Sequence, residues 1–329
     1  MKSKYIYLLP ALFLLLIFVV ACEDDKYEVP TTAREFQNDC IKRTLGPNLV
    51  NNNIEFAYAM ALPSDMGTIV SARVVASIPG AAGTFLENRA FSTDGGGNDK
   101  PVQIGDPSST EGNLTTVTFT RDTFAVTLRY FYRIPEEARG QNVSFTFSAT
   151  DSNGTTVNME MGPYTVSSMD MVLDRIVTDN TSMYFSIADM AVYTAVEAAA
   201  IPDKIDLVYV YRATPTTFAH ALVAPAADPI YLPGITLPAG VNKNTKVIKT
   251  LNLRDQHLAR AQFGVFIDDI DFQNLDTSTA SNFATNLRGE AGAWVETADG
   301  QYRAFIYINA VATAPTRNMR VSMKRLKMF

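Results

Sequence analysis

Val143-Ser144-Phe145-Thr146-Phe147-Ser148-Ala149-Thr150, then Asp151-Ser152-Asn153-Gly154, then Thr155-Thr156-Val157-Asn158-Met159-Glu160-Met161, is the stretch on which the fold turns. Apolar side chains recur at every second position of its first segment, the period of a strand with one buried face. The next four residues tolerate the left-handed backbone of a tight turn, so the third segment reads as the returning strand of a hairpin. Upstream, a looser period of two runs through residues 54–60, 69–78, 114–120 and 124–134. Ile134-Pro135-Glu136-Glu137-Ala138-Arg139-Gly140 then supplies a turn signal before the hairpin. Some seven short strands punctuated by Gly and Pro over roughly 120 residues predict an immunoglobulin-like or related β-sandwich, spanning 46–168.

Downstream, Ile205-Asp206-Leu207-Val208-Tyr209-Val210-Tyr211 is the strongest strand of the chain, apolar on both faces and so expected at the centre of a sheet. Short helices are expected in the alanine-rich 188–200, stopped before Pro202, in 253–262, and in 279–287, with Asp276 or Thr277 as its cap. Residues 294–296 and 302–311 read as strands joined across Asp299-Gly300, and 321–328 as a closing strand. The expectation is an all-β chain of two tandem β-sandwich domains, the second over 169–329 with short helices in its connections. No repeat makes one domain a copy of the other.

The chain has 329 residues, 47% hydrophobic and 19% charged, which excludes a disordered polymer and is long enough for two cores. A net charge of −6 argues against nucleic acid as a partner. Two histidines and two cysteines leave little room for a histidine-rich metal site or a disulfide framework. Lys2 and Lys4 precede an apolar run over 6–20, broken only by Pro10 and closed by Val19-Val20-Ala21-Cys22. This reads as a secretion signal over 1–21, too short and abruptly ended for a permanent transmembrane helix. The residues leading to Cys22 resemble the bacterial lipobox, which implies a diacylglycerol on the Cys22 thiol and cleavage before it; the alternative is a plain secretory signal. Loss of Lys2 and Lys4 would take the charge from −6 to −8. Glu23-Asp24-Asp25 resembles the surface-export signal of Bacteroidetes lipoproteins, and also reads as a solvated spacer. Residues 22–45, with Pro30-Thr31-Thr32, are expected to form the lipidated N-terminus and tether of a protein held on the outer membrane, exposed at the cell surface. Cys40, the remaining thiol, has no histidine near it in sequence and reads as a small buried hydrophobe.

Candidate chemistry is sparse. Asp268, Asp269 and Asp271, with Asp276 beyond, form the densest carboxylate group, but lack the glycine and final glutamate of an EF-hand loop; they read more simply as charges at a helix N-terminus. His220 and His257 sit in no recognisable catalytic arrangement and read as packing or surface residues. Asp94-Gly95-Gly96-Gly97-Asn98 lacks the Lys-Ser/Thr of a phosphate loop and reads as a hairpin tip. No motif calls for a cofactor. Aromatic residues are grouped at strand positions: Tyr130 to Tyr132, Tyr209 with Tyr211, Trp294, and Tyr302 with Tyr307. Such rings can stack on the C–H faces of sugars, with flanking polar groups taking hydroxyls, and they can equally be core or cross-strand pairs. Trp294 beside its hairpin is the residue most expected to be exposed, and Trp294, Tyr302 and Arg303 are the ligand-binding candidates. Arg303, Arg317, Arg320, Lys324, Arg325 and Lys327 occur in the last 30 residues without an acid. They suit either contact with anionic lipopolysaccharide or, preferably, an edge strand guarded by cations.

The lipobox, the acids after Cys22, Asp39-Cys40-Ile41-Lys42, Ile54-Glu55-Phe56-Ala57-Tyr58, the 134–139 turn, Ile205-Asp206-Leu207-Val208-Tyr209 and Trp294-Val295-Glu296-Thr297 resemble a family of uncharacterised Bacteroidetes surface lipoproteins. The resemblance implies a surface lipoprotein and no activity. The leading functional expectation is a non-enzymatic surface protein that captures a glycan, working beside other outer-membrane proteins. The alternative is a fimbrillin-like pilus or adhesin subunit that polymerises by strand donation after cleavage at an arginine, Arg34 or Arg43. A hydrolase of unknown class ranks third and would require two facing carboxylates in a deep pocket.

Overall fold

The computed structural model describes residues 34–329; the segment expected to be a secretion signal, Cys22 and the acids after it lie outside them. In the first domain the strands are β1 (Gln37–Lys42), β2 (Asn53–Ala61), β3 (Ile69–Ala76), β4 (Phe85–Leu86), β5 (Arg89–Thr93) and β6 (Asp99–Gln103). They continue with β7 (Ser109–Glu111), β8 (Leu114–Thr118), β9 (Ala125–Arg133), β10 (Asn142–Asp151) and β11 (Thr156–Thr165). The hairpin forms as its pattern predicts, with β10 antiparallel to β11 from Asn142↔Thr165 to Thr150↔Thr156. At the turn Asp151 accepts from the N–H groups of Asn153 and Thr155, and Gly154 takes the left-handed backbone at φ +83°.

Two sheets stack, one ordered β1-β2-β9-β4 and the other β11-β10-β3-β8-β7, while β5 and β6 form a separate two-stranded arm. Alternation turns Val143, Phe145, Phe147 and Ala149 of β10 inward to meet Phe56 and Tyr58 of β2 and Tyr130 and Tyr132 of β9. Phe56 lies edge-on to Phe145 at 4.9 Å and to Phe147 at 5.1 Å. Each such ring contributes on the order of 2 kcal/mol through burial alone. The tether expected over 22–45 ends earlier than its composition suggested. Gln37–Lys42 pairs with β2, and Phe36 and Cys40 are buried, because an alternating apolar residue at the sandwich edge gains more from the core than from water.

The second domain contains β12 (Asp170–Thr178), β13 (Ser182–Ser186), β14 (Ala191–Thr194), α1 (Ala195–Ala200), β15 (Leu207–Arg212), β16 (Ala219–Val223) and β17 (Lys246–Leu251). After these come α2 (Gln256–Ala259), α3 (Asp269–Gln273), β18 (Phe283–Leu287), β19 (Ala291–Glu296), β20 (Tyr302–Ala312) and β21 (Asn318–Lys327). Its sheets run β14-β13-β15-β16-β18 and β12-β21-β20-β19-β17. β15 is central, with Leu207 to Val210 buried on both faces as its sequence predicts. The chain is thus two tandem β-sandwiches. Among the described residues no helix is long and apolar enough to cross a membrane.

Three expectations are corrected. Residues 279–287 do not form a helix. β18 pairs with β16 at His220↔Leu287 and Leu222↔Ala284, and Asn286 is left-handed at φ +52°, which a helix does not allow. The helix expected over 253–262 shortens to Gln256–Ala259, ended by Arg260 at φ +51°. The basic C-terminal strand is not an edge, since β21 lies between β12 and β20. Three of its four cations are paired instead of guarding a border: Lys324 is buried against Asp255 at 2.7 Å, Arg325 bonds Asp170 and the Ala188 carbonyl, and Arg320 lies 3.8 Å from Asp174. Arg317 faces Asp179 and lies over the Tyr211 ring.

Candidate functional site

Ile54, Phe56, Tyr58 and Met60 of β2 fill the core, so the pleat turns Ala57, Ala59 and Ala61 to the outer face of the sheet. Alanine on three successive outward positions leaves a trough between the flanking strands. The register places Asp39 and Thr127 on either side of Ala59, and Ile41 and Arg129 on either side of Ala57. The β5–β6 arm rises beside the trough, and its Phe91 ring lies 5.1 Å from the Arg129 guanidinium carbon. The result is a groove of about 730 Å³, floored by alanines and lined by Gln37, Asn38, Asp39, Arg43, Phe91, Thr127 and Arg129. Phe91 remains 39% exposed.

The polar rim is partly committed to the fold. Asn38 donates to the Tyr58 hydroxyl at 2.9 Å, and Arg43 lies 3.8 Å from Glu55. Asp39 accepts from the Cys40 N–H at 2.8 Å. Burial, reinforced by the Asp39 charge, pushes the Cys40 thiol up to about 12, so it stays protonated and unreactive at neutral pH. The tip of the arm, Asp94 to Asn98, is a hairpin turn in which Asp94 accepts from Gly96 and Asn98.

The residues singled out in the sequence lie elsewhere and apart. Trp294 is half-buried, packed edge-on to Phe272 at 5.3 Å and against Phe305 at 4.8 Å, so its expected exposure is not found. The covering comes from α2 and α3, whose Leu258 and Phe272 close over the outer face of β19 and β20. Tyr302 points to the opposite face of that sheet, packs on the sandwich core and carries Arg325 at 4.9 Å over its ring. Arg303 shares the Trp294 side. It donates to Glu296 and to the carbonyls of Phe272 and Gln273, closing the C-terminus of α3. Trp294, Tyr302 and Arg303 therefore form no shared platform. Tyr130, Tyr132 and Tyr209 are buried outright.

The aspartate group serves the backbone. Asp268 accepts from the N–H groups of Ile270 and Asp271, while Asp271 returns an acceptor to the Asp268 N–H, a capping box at α3. Asp269 binds Ser167 and the Ser168 N–H instead. Among the described residues no three His, Cys, Asp or Glu side chains converge as a metal set would. His220 is buried with Nδ1 2.7 Å from the Tyr209 hydroxyl, a packing role. The groove was missed because its signal is small residues, not aromatic ones: alternating large and alanine positions over 54–61 mark a strand whose open face is hollow.

Fold and site together define a tandem β-sandwich protein with a groove on the outer face of its first domain. By sequence the chain belongs to the family described as Domain of unknown function (DUF4466), whose model matches residues 33–166. Residues 167–328 match a second such model, Domain of unknown function (DUF8576). A DUF4466 family protein of known crystal structure from Parabacteroides merdae is 44% identical, with a TM-score of 0.83 over 89% of this chain and 99% of its own. The major pilin subunit of Bacillus cereus gives a TM-score of only 0.28 at 8% identity, covering 86% of this chain and 66% of its own. A C-terminal fragment of a major pilin of Streptococcus agalactiae gives 0.27 at 8%, covering 87% and 91%. Likenesses this slight carry no argument about assembly. None of the curated proteins matches the chain.

Proposed function

We propose that the protein is a non-enzymatic, lipid-anchored protein of the outer cell surface that captures a glycan in the groove over β2. The observation that carries this reading is the groove itself: an apolar alanine floor, one exposed aromatic wall at Phe91, and amide, carboxylate and guanidinium groups around the rim. Sugars present apolar C–H faces and peripheral hydroxyls, which match such a mixed surface. The lipobox ending in Cys22 supports the anchor. Phe91→Ala should abolish binding of any glycan the wild type retains on a broad array, without lowering the melting temperature. Wild-type protein binding no glycan, or the variant binding as well as wild type, would sink the assignment.

One observation favours the second reading, a subunit that exchanges strands. β1 is a sheet edge, and in sequence it lies between Arg34 and Arg43. Cleavage after Arg43 would remove β1, take Phe36 and Cys40 out of the core, and open the β2 edge to a donor strand. It would also destroy the groove, so cleavage at Arg43 and capture exclude each other, whereas cleavage after Arg34 would leave β1 and the groove in place. Mass spectrometry of the cell-surface form decides between them: a chain beginning at Cys22 supports capture, and one beginning at Thr44 supports polymerisation.

A further inference from the structure

We propose that the groove selects an acidic glycan, its carboxylate held by Arg129 and a neutral neighbouring residue held at Asp39. The inference rests on the capture reading above and specifies its ligand. Among the described residues no carboxylate pairs with Arg129, which lies against the Phe91 ring, and no cation pairs with Asp39. This differs from Arg43, just beyond the end of β1, which faces Glu55. Two opposite charges left without ion-pair partners thus line one cavity.

Their placement follows from the register. Asp39 on β1 and Arg129 on β9 flank β2 two residues apart along it, a diagonal of about 12 Å from strand spacing and rise. That separation suits two adjoining sugar rings better than one. The Phe91 ring steadies the guanidinium from one side and leaves its N–H edge for a planar carboxylate, which a guanidinium takes in bidentate fashion. Asp39 accepts hydroxyl protons and repels a second carboxylate, so a run of consecutive uronic acids is disfavoured. Ala57 and Ala59 offer no side-chain polar group beneath the rings, which suits their C–H faces.

The test is calorimetric titration of the full mature chain with aldobiouronic acid and sialyllactose, each against its methyl ester, and with lactose. The acids should bind at least about tenfold more tightly than their esters, the discrimination expected of one charge-assisted pair. They should weaken as salt rises. Arg129→Gln should erase the preference of acid over ester, and Arg129→Lys should restore only part of it. Esters binding as tightly as acids, or an undiminished preference in Arg129→Gln with a wild-type melting temperature, overturns the inference. If neutral glycans bind as tightly as acidic ones and Phe91→Ala removes both, capture stands and only the acidic specificity falls. If no glycan of either kind binds, both fall.

Discussion

His220 is one of two histidines in the chain, and burial lowers its pKa from the ordinary 6.5. The unfolded chain therefore takes up this proton first as the solution is acidified. Its contribution to stability is fully present above pH 6.5 and is lost below it, down to the pH at which the native imidazole also protonates. The unfolding free energy of the wild type, from urea titrations, should fall more steeply between pH 7 and pH 5 than that of His220→Asn, by up to about 1.4 kcal/mol per pH unit. Parallel curves for the two proteins would refute the linkage. At this scale the sequence is legible wherever a residue's role is set by its own strand: Phe145 and Phe147, at alternate positions of the hairpin's first strand, read as buried and are. Trp294 was misread because α2 and α3, distant in sequence, supply its cover.

Helix α3 shows how an element recruits side chains that resemble a ligand set. A five-residue helix leaves its first N–H groups without intrahelical partners, and Asp268 satisfies two of them. Asp268→Ala should cost about 1 kcal/mol in urea unfolding, the usual value of an N-cap, equally with and without millimolar calcium. A calcium-dependent difference would restore the metal reading. Arg303 closes the other end of the same helix, so a residue chosen as a sugar contact is committed to holding α3. The misassigned helix at 279–287 has a similar cause. Local propensity there is weak, and β16 offers a hydrogen-bonding edge that only the folded sheet brings near.

Across the whole molecule, the two sandwiches are joined by more than the chain between them. Leu49 from the first domain and Met169 from the crossover share a buried cluster with Leu258, Ile267 and Phe272 of the second. Beside it Arg139 reaches Asp170 at 2.9 Å and the Ser168 carbonyl at 3.2 Å, while Asp269 holds Ser167. Residues 36–329 accordingly form one contact unit. Calorimetry should show one unfolding transition in the wild type. Leu49→Ala, costing about 2–5 kcal/mol, should separate it into two; a single unsplit transition in the variant would mean that Leu49 is not what couples the domains. From the sequence alone one can derive the all-β class, the hairpin read over 143–161 and the central strand read over 205–211, because each depends on periodicity or composition within a short segment. Which aromatics are covered, which cations are paired, and that an alanine column becomes a groove were decided only in three dimensions. Those properties depend on which distant strand or helix lies across a given face, and no local pattern records that choice.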